Sequence, residues 1–504
     1  MRMMRALVLG AAALMVGASA TAGSDSAAAE VSAGADLRPA PAPWAGGVET
    51  ALLGVPAPLD GAGLATRAGS SPTPTPTPTP MTPTPTSGSA LPATPVGDQV
   101  GWLITASRRL PLSAAEVQAH VDQTLIAAAG GVDALNAALT AVAGANGLTL
   151  VSVPSAAPTT LTAIVDGAQR WQLSAAVDAD GLLASLTLLP YRPSPSSWAE
   201  LDRRLRAVAP AVSFQASRLT ADGRCLPVHG VAADTPRPIG SAFKLYVLAA
   251  LADAVATGHA AWDEPLAIRD DWKSLPSGVL QNAPAGTTLT LEQYAQYMIS
   301  ISDNTAADHL IHRLGRERVE RQLVRSGMRR PALDVPFLTT REFFQFKAAP
   351  DHPGPLQTYL RLPVTQRLRY LTDMIDPRPL TGLAGWEQPR AIDTLEWFAS
   401  PADICRVYAN LARAAGTSAG APVAGILSLN DGGLGLDRAR WPAVWFKGGS
   451  EPGVLTLTYL ARTAGGARYV VSVDVGDPVR ALDEASVVPE LLALARGGFQ
   501  LAAR

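Results

Sequence analysis

Hydrophobic and polar positions alternate in two different ways between residues 97 and 195. The stretch that begins at Ser113 carries apolar side chains at helical spacing and predicts two helices, with Ser113 capping the first ahead of Glu116. Four short segments that alternate apolar and polar residues follow, and the last two are joined by Asp180-Gly181. Helices that precede an antiparallel sheet predict a small α+β domain.

This small domain resembles the nuclear-transport-factor (NTF2) or steroid-isomerase type of fold. Residues 97–195 contain no cluster of acidic or basic side chains that indicates chemistry. We therefore expect a packing or positioning domain, and a lost or unrecognised ligand pocket is the alternative. The Pro/Ser-rich segment Pro193–Trp198 marks the next boundary, and residues 199–504 form the main domain.

Within the main domain, a long helix is predicted after Pro238. Leu245 and Leu248 follow helical spacing, and the positions around them are apolar too, which indicates a helix buried on most sides. Two further apolar helical runs flank Ser302–Asn304, and two β-rich runs flank Lys447–Ser450. Each of these two polar segments therefore lies at a junction between buried elements.

The beginning of the chain has neither pattern. Residues 1–22 have a basic start, an apolar run too short for a bilayer of about 30 Å and then small residues, which is typical of a cleaved signal peptide. An uncleaved membrane anchor is the alternative. Residues 23–96 are rich in Pro, Thr, Ala, Gly and Ser, and the alternating prolines of Ser71–Ser89 predict an extended linker, either plain or O-glycosylated. We therefore expect a secreted or cell-envelope protein with no stable membrane span after signal removal.

Composition narrows the classes of function. The chain has 504 residues, which suggests two or three domains, and its net charge of −2 gives no indication of a nucleic-acid partner. The two cysteines, Cys225 and Cys405, are too few for a Cys-based metal site, and the sequence leaves open whether they pair. His309 and His312 have no third ligand nearby, so we expect a packed or solvated pair and no metal or other cofactor.

Lysine is rare in this chain. Lys and Arg total 41, yet lysine occurs only at Lys244, Lys273, Lys347 and Lys447. A lysine kept where arginine is otherwise preferred indicates a need for a side chain that can lose its proton. Lys244 lies one helical turn after Ser241, where burial disfavours its charge and lets it act as a base for the serine hydroxyl. The alternative is a chance string whose lysine reaches solvent.

Two further segments carry groups suited to the same chemistry. Ser302 can relay a proton and Asn304 can hydrogen-bond a substrate carbonyl, although both residue types are also common helix caps. Lys447 can attract a substrate carboxylate, and the glycines after it permit close approach of a ligand, although a simple hairpin turn has the same pattern. The order S-x-x-K, S-D-N, K-x-G is found in class A β-lactamases and penicillin-binding proteins.

On these motifs, residues 199–504 resemble the class A β-lactamase-related serine hydrolases. The stretches "IDTLEWFASPADICRVYANL" and "FKGGSEPGVLTLTYLARTAGG" are most similar to the exported subgroup with a small N-terminal α+β domain. That subgroup includes the β-lactamase-like protein of clavulanic acid biosynthesis and mycobacterial lipoproteins of similar layout. The resemblance implies an α+β, β-lactamase/transpeptidase-like fold: an antiparallel sheet flanked by helices, plus a helical subdomain, with the serine between them.

The resemblance also implies a role for each site residue. Ser241 would be the nucleophile, Lys244 the base for acylation, and Ser302 the group that passes a proton to the leaving group. The backbone N–H groups of Ser241 and Ser450 would receive the oxyanion. The residues assigned to substrate binding are Asn304, Lys447, Gly449 and Ser450.

Three departures from the family pattern bear on function. Gly448 stands where the family usually has Thr or Ser, so one hydroxyl contact to a substrate carboxylate is missing unless Ser450 replaces it. The E-x-x-L-N glutamate that activates the deacylating water is not found; Glu342 is the nearest acid, and we expect it to form a salt bridge with an arginine such as Arg341 or Arg330. The separation of Ser302 from Lys447 allows an insertion around residues 348–380 that could cover or reshape the pocket.

Three hypotheses follow. The first is an exported serine hydrolase that acts through an acyl-enzyme on a β-lactam, an ester or a related acyl compound. The second is a D-alanyl-D-alanine peptidase or esterase acting on peptidoglycan-like substrates. The third is a non-catalytic sensor of β-lactams or cell-wall fragments, and the missing glutamate is its main support. All three imply a small-molecule acyl partner.

Overall fold

The computed structural model of the protein describes residues 8–9 and 90–504. The remainder of the predicted signal peptide and the linker as far as residue 89 lie outside the described residues. Val8–Leu9 forms a two-residue strand that pairs antiparallel with Leu183–Pro190. Among the described residues, no helix combines the length and the apolar content that crossing a membrane requires.

The N-terminal domain consists of helices followed by a sheet, as predicted. Its first helix, Pro95–Ala106, was not predicted, although Thr94 caps it and Pro95 occupies its first position. Ser113 accepts a hydrogen bond from the Glu116 N–H, as expected. The remaining helices are Ala114–His120, Gln123–Ala128 and Val132–Ala143, and the strands are Thr149–Ala156, Thr160–Asp166, Arg170–Val177 and Leu183–Pro190.

The prediction of two helices after Ser113 was wrong, because the structure has three. The Asp122 carboxylate accepts the Thr124 N–H at 2.8 Å and starts a new helix in the middle of the apolar run. The four strands pair with their neighbours in chain order in an antiparallel sheet. The architecture is α+β; the resemblance to the NTF2 or steroid-isomerase type of fold stays a prediction.

The main domain is built on a five-stranded antiparallel sheet. Two helices, Trp198–Arg206 and Glu484–Ala502, pack on one face of the sheet through a core that includes Phe214 and Trp441. The opposite face packs against the helices Lys244–Ala256 and Pro401–Ala414. The strands, in spatial order, are Ala443–Glu451, Val454–Arg462, Arg468–Gly476, Ala211–Leu219 and Cys225–Val231.

A helical subdomain lies beside this sheet. The predicted architecture, an antiparallel sheet flanked by helices plus a helical subdomain, is thereby confirmed. The pairing of Arg237–Pro238 with Phe398–Ala399 holds the chain on both sides of the junction between subdomain and sheet. The α-helices of the subdomain are Leu291–Ser300, Asn304–Leu314, Arg316–Arg325, Thr340–Lys347, Gly354–Arg361, Val364–Tyr370 and Pro422–Ser428.

Polar contacts join the N-terminal domain to the main domain. Arg496, on the last helix, is buried and donates to the carbonyl oxygens of Arg192 and Leu434, at 2.7 and 3.0 Å, and to the Gln172 side chain at 3.3 Å. Gln172 belongs to the third strand of the N-terminal sheet. These contacts favour the predicted packing or positioning role for the N-terminal domain.

Cys225 and Cys405 form a disulfide, which answers the question that the sequence left open. The bond joins the edge strand Cys225–Val231 to the helix Pro401–Ala414, and the two Cα atoms lie 6.2 Å apart. It closes a sequence separation of 180 residues, within which Ser241 lies. The bond therefore restrains the unfolded chain over a long loop that contains the predicted nucleophile.

We expect the double variant Cys225→Ser/Cys405→Ser to lose about 2 to 5 kcal/mol of unfolding free energy relative to the oxidised protein. Chemical denaturation followed by tryptophan fluorescence measures this change. Wild-type protein unfolded in reductant is the matched control and should reach the same lowered midpoint. An unchanged midpoint in both samples would show that the bond contributes nothing to stability.

Candidate functional site

Ser241 and Lys244 lie where a tight turn passes into the buried helix. Ser241 belongs to the 3₁₀ turn Gly240–Phe243, and Lys244 is the first residue of the helix Lys244–Ala256. Lys244 is fully buried, and its Nζ lies 3.0 Å from Ser241 Oγ. The predicted spacing of one turn therefore brings the amine and the hydroxyl into hydrogen-bonding contact.

The hydrogen bonds of Lys244 are compatible with an amine that accepts a proton from a hydroxyl. Lys244 Nζ donates to two obligate acceptors, the Ser302 carbonyl oxygen and Asn304 Oδ1, both at 2.6 Å. Asn304 Nδ2 donates to the Leu275 carbonyl at 3.0 Å, which fixes the orientation of the amide. A neutral amine has two N–H groups and one lone pair, so the lone pair can accept a proton from one of the two hydroxyls in contact, that of Ser241 or that of Ser302.

Ser302 lies between two lysines. Its Oγ is 2.9 Å from Lys244 Nζ and 2.9 Å from Lys447 Nζ, and the residue is fully buried. Its φ of 55° lies in the left-handed region, which is unfavourable for a residue other than glycine. This strained junction between the helices Leu291–Ser300 and Asn304–Leu314 directs the hydroxyl toward both amines.

Asp303, which the sequence analysis did not assign to the site, holds this junction in place. Its carboxylate accepts the N–H groups of Ala306, Val279 and Leu280 at 2.8, 2.7 and 2.9 Å. Burial raises the pKa of Asp303, and the three backbone donors act in the opposite direction. Within the S-D-N segment, capping therefore falls to Asp303, while Ser302 and Asn304 contact Lys244.

Lys447 comes from the edge strand of the central sheet, Ala443–Glu451. It is fully buried, and its Nζ donates to the Gly448 carbonyl at 2.6 Å as well as contacting Ser302. Two of the four lysines thus meet at the Ser302 hydroxyl, and Lys447 reaches it from 145 residues further along the chain.

The glycines around the serine allow two backbone segments to touch. A Cβ on Gly449 would lie 2.0 Å from the Ile239 carbonyl oxygen and 2.6 Å from Ser241 N. Gly240 has a φ of 47°, and a Cβ there would lie 2.9 Å from Ser450 N. Only glycine fits on either side of this contact, which brings the Ser241 and Ser450 backbones together.

The presence of glycine at position 448, where the family usually has Thr or Ser, also has a steric explanation. A Cβ at this position would lie 2.9 Å from Cζ of the Phe446 ring and 3.3 Å from the Thr456 carbonyl oxygen. A threonine or serine here would require the Phe446 ring to move.

A cavity opens in front of Ser241 and is lined on one side by aromatic rings. Its polar wall contains Ser241, Asn304 and Ser450 from the predicted site. Lys244, Ser302 and Lys447 lie behind this wall. The aromatic lining consists of Phe243, Phe343, Phe344, Trp386 and Trp397, and the polar lining that the sequence analysis missed comprises Ser277, Thr340, Glu396 and Glu451.

Two predictions about neighbouring residues need correction or refinement. Glu342 does form a salt bridge, but with Arg316 at 2.6 Å rather than with Arg341 or Arg330, and it also caps its own helix through the Thr339 N–H. The segment 348–380 contributes none of the residues that line the cavity within the described part of the chain. It packs instead behind the helix Thr340–Lys347, whose Phe343 and Phe344 do line it.

His309 and His312 are packed against aromatic rings, which is one of the two arrangements expected for this pair. His309 stacks on Tyr294 with ring centroids 5.3 Å apart, and His312 stacks on Trp272 at 4.7 Å. Burial lowers the pKa of both imidazoles, that of His312 to about 4. In the part of the chain that the structure describes, no three His, Cys, Asp or Glu side chains are grouped as metal ligands.

Two protein-family models match parts of this chain. Residues 200–360 match the family model described as "Beta-lactamase enzyme family", and residues 91–183 match the model described as "ORF 12 gene product N-terminal". A search of curated proteins finds no match.

Solved structures similar to this chain include two bacterial β-lactamases. One, from Sphaerobacter thermophilus, is 20% identical, with 61% of this chain and 97% of that chain covered and a TM-score of 0.43. One from Chitinophaga pinensis is 18% identical, with 61% and 98% covered and a TM-score of 0.40. A third similar structure, described as PBP-A in an acyl-enzyme complex with penicillin G, is 18% identical, with 62% and 99% covered and a TM-score of 0.39.

The contact between the two glycine-containing segments gives a direct test of the site. We expect Gly449→Ala to lower the rate at which Ser241 reacts with an acylating reagent by about 10²-fold, because the added methyl displaces the serine backbone by a sizeable fraction of an ångström or more. Mass spectrometry of the adduct measures this rate. Gly425→Ala is the matched control, since a Cβ there meets no atom within 4 Å. Equal rates in the two variants would show that the close approach is not needed.

Proposed function

Since residues 200–360 match the model of the beta-lactamase enzyme family, we propose that the protein is a serine hydrolase that forms an acyl-enzyme through Ser241. The observation that carries the proposal is the contact of Lys244 Nζ with both Ser241 Oγ and Ser302 Oγ, at 3.0 and 2.9 Å. A buried amine in contact with two hydroxyls can take a proton from one and return it through the other.

The contacts suggest a sequence for the acylation step. Lys244 accepts the proton of Ser241 as Oγ attacks the carbonyl carbon of the substrate. The developing oxyanion is received by the backbone N–H groups of Ser241 and Ser450, which the glycine contact brings together. The proton then passes from Lys244 through Ser302 to the leaving group, and the positive charge of Lys447 favours a substrate with a carboxylate.

We propose a β-lactam or a carboxylic ester as the substrate class, with slow release of the acyl group. The E-x-x-L-N glutamate is missing, and Glu342, the acid expected nearest to its place, is held by Arg316. The absence of a general base lowers the rate of a hydrolytic step by about 10² to 10⁴-fold.

We also propose that the protein works outside the cytoplasm. The signal-like pattern of residues 1–22 and the Pro/Thr-rich linker support export. The Cys225–Cys405 disulfide supports it independently, because such bonds persist mainly in oxidising compartments. Cell fractionation of the full chain and of a chain lacking residues 1–22 tests this: loss of export in the shorter chain is expected, and equal export would contradict the proposal.

The enzyme proposal is tested by acylation with three reagents: a fluorescent penicillin, a chromogenic cephalosporin and an activated ester. We expect covalent labelling of the wild-type protein at Ser241 and none of Ser241→Ala. Labelling with turnover of the cephalosporin supports a β-lactamase. Labelling without turnover supports a peptidase, an esterase or a sensor, and absence of any adduct with all three reagents would overturn the proposal.

Lys244→Arg tests the role of the amine, because arginine keeps the positive charge but cannot accept a proton at neutral pH. We expect this variant to acylate about 10² to 10⁴-fold more slowly than wild type. Lys273→Arg is the matched control: Lys273 pairs with the exposed Asp270 at 2.8 Å, so its replacement should leave the rate unchanged. Full activity of Lys244→Arg would exclude a proton transfer to this residue.

A further inference from the structure

Three buried ionisable side chains form a cluster beside the cavity, and the proposed acylation step uses none of them. Glu396 lies just before the short strand Phe398–Ala399, Glu451 ends the strand that carries Lys447, and Lys347 ends the helix Thr340–Lys347. Their exposures are 5%, 6% and 0%. Lys347, the third of the rare lysines, forms an ion pair with Glu451.

This cluster has two carboxyl groups and one ammonium group, and its hydrogen bonds do not balance if both carboxyls are ionised. Glu396 Oε2 accepts the N–H groups of Gly240 and Trp397, at 3.2 and 2.9 Å. The other oxygen of each pair, Glu396 Oε1 and Glu451 Oε2, is buried without a donor among the described residues. Two buried acceptors without donors are costly.

A single proton removes this imbalance, because a protonated Glu396 can donate to Glu451. Burial raises the pKa of Glu396 well above its usual range, and the negative charge of Glu451 and a hydrogen bond between the two carboxyls act in the same direction, whereas Lys347 opposes them. Two other charged groups lie on the packed elements: Arg390 donates to the Lys347 carbonyl at 2.6 Å, and Asp334 accepts the Phe398 N–H at 2.8 Å.

The pair connects the two backbone segments on either side of the serine. Glu396 holds the N–H of Gly240, the residue before Ser241, and Glu451 is the residue after Ser450. A bond between the two carboxyls therefore ties the segment that contributes the Ser241 N–H to the segment that contributes the Ser450 N–H.

We propose that Glu396 and Glu451 share one proton, and that this acid–carboxylate pair fixes the separation of the two N–H groups that receive the oxyanion. Glu396 is thus a positioning residue, and its neutral form is the functional one. The inference about position rests on the proposed acyl-enzyme function, whereas the shared proton does not. Loss of the proton places two negative charges side by side and separates the segments.

The variant Glu396→Gln distinguishes this role from others, because its amide imitates the neutral acid: the oxygen can accept both N–H groups and the NH₂ can donate to Glu451. A folded-state pKa raised above the unfolded value contributes stability that is lost as pH rises from the unfolded value toward the folded one. The wild-type protein loses that contribution as pH rises above about 4.5, the ordinary value for Glu, and Glu396→Gln does not. We therefore expect the variant to match the wild type in Tm near pH 4.5 and to exceed it by a widening margin up to pH 8.

Glu342→Gln is the matched control for the stability measurement. Glu342 is an equally buried glutamate, but it pairs with Arg316 at 2.6 Å, so its amide variant removes the carboxylate that pairs with this partly buried guanidinium. We expect this variant to have a lower Tm than wild type at neutral pH. If Glu396→Gln behaves like Glu342→Gln, with a Tm below wild type and a deficit that grows with pH, Glu396 is ionised and the shared proton is excluded.

The positioning role is tested by acylation rates of Ser241 with an activated ester across pH 6 to 10. At neutral pH we expect Glu396→Gln to react within about threefold of the wild-type rate. At alkaline pH the wild-type rate should fall, whereas the Glu396→Gln rate should not. We expect Glu396→Ala to react up to about 10²-fold more slowly than wild type. Two results would overturn the positioning role: an unchanged rate in Glu396→Ala, or an adduct that persists at least 10²-fold longer in Glu396→Gln, which would mark Glu396 as the base for deacylation. Absence of acylation in the wild type would instead refute the proposed function, and the Tm comparison would still decide the shared proton.

Discussion

The contact of two buried lysines with the Ser302 hydroxyl is the interaction on which the rest of the site depends. Two lysine side chains lie fully buried, each with its Nζ 2.9 Å from that one oxygen, and burying such polar groups is costly unless each is well hydrogen-bonded. Their hydrogen-bond partners include two carbonyl oxygens, one amide oxygen and two serine hydroxyls, which come from a helix junction, a strand and a tight turn. The fold is arranged so that these separate elements converge on that oxygen.

The glycines and the carboxyl pair hold the backbone around Ser241, on the side of this serine away from the lysines. Gly240 and Gly449 let the turn and the strand approach closely, and Glu396 with Glu451 links the same two segments through their side chains. The serine is thereby held by backbone contact in front and by the amines behind. A serine constrained in this way would be preorganised for the attack on a carbonyl that we propose.

Much of this arrangement could be predicted from local pattern. The spacing of Ser241 and Lys244 fixed a contact within one helical turn, and the S-D-N segment between apolar runs indicated a helix junction. Glu396 and Lys347 could not be predicted, because their relation to Glu451 depends on three elements that are distant in sequence. The partner of Glu342 was missed for the same reason: Arg316 lies on another helix, whereas the expected Arg341 is merely adjacent in the chain. Periodicity also failed to divide the apolar run after Ser113, where a single capping carboxylate decides the break.

The position of segment 348–380 has a consequence for how the protein diverges. Its helices pack against the helix that presents Phe343 and Phe344 and contribute none of the cavity's lining within the described residues. Changes in that segment can shift the helix that carries the two rings, and with it the aromatic wall of the cavity. Natural variation there can therefore change the shape of the cavity without replacing any residue that lines it.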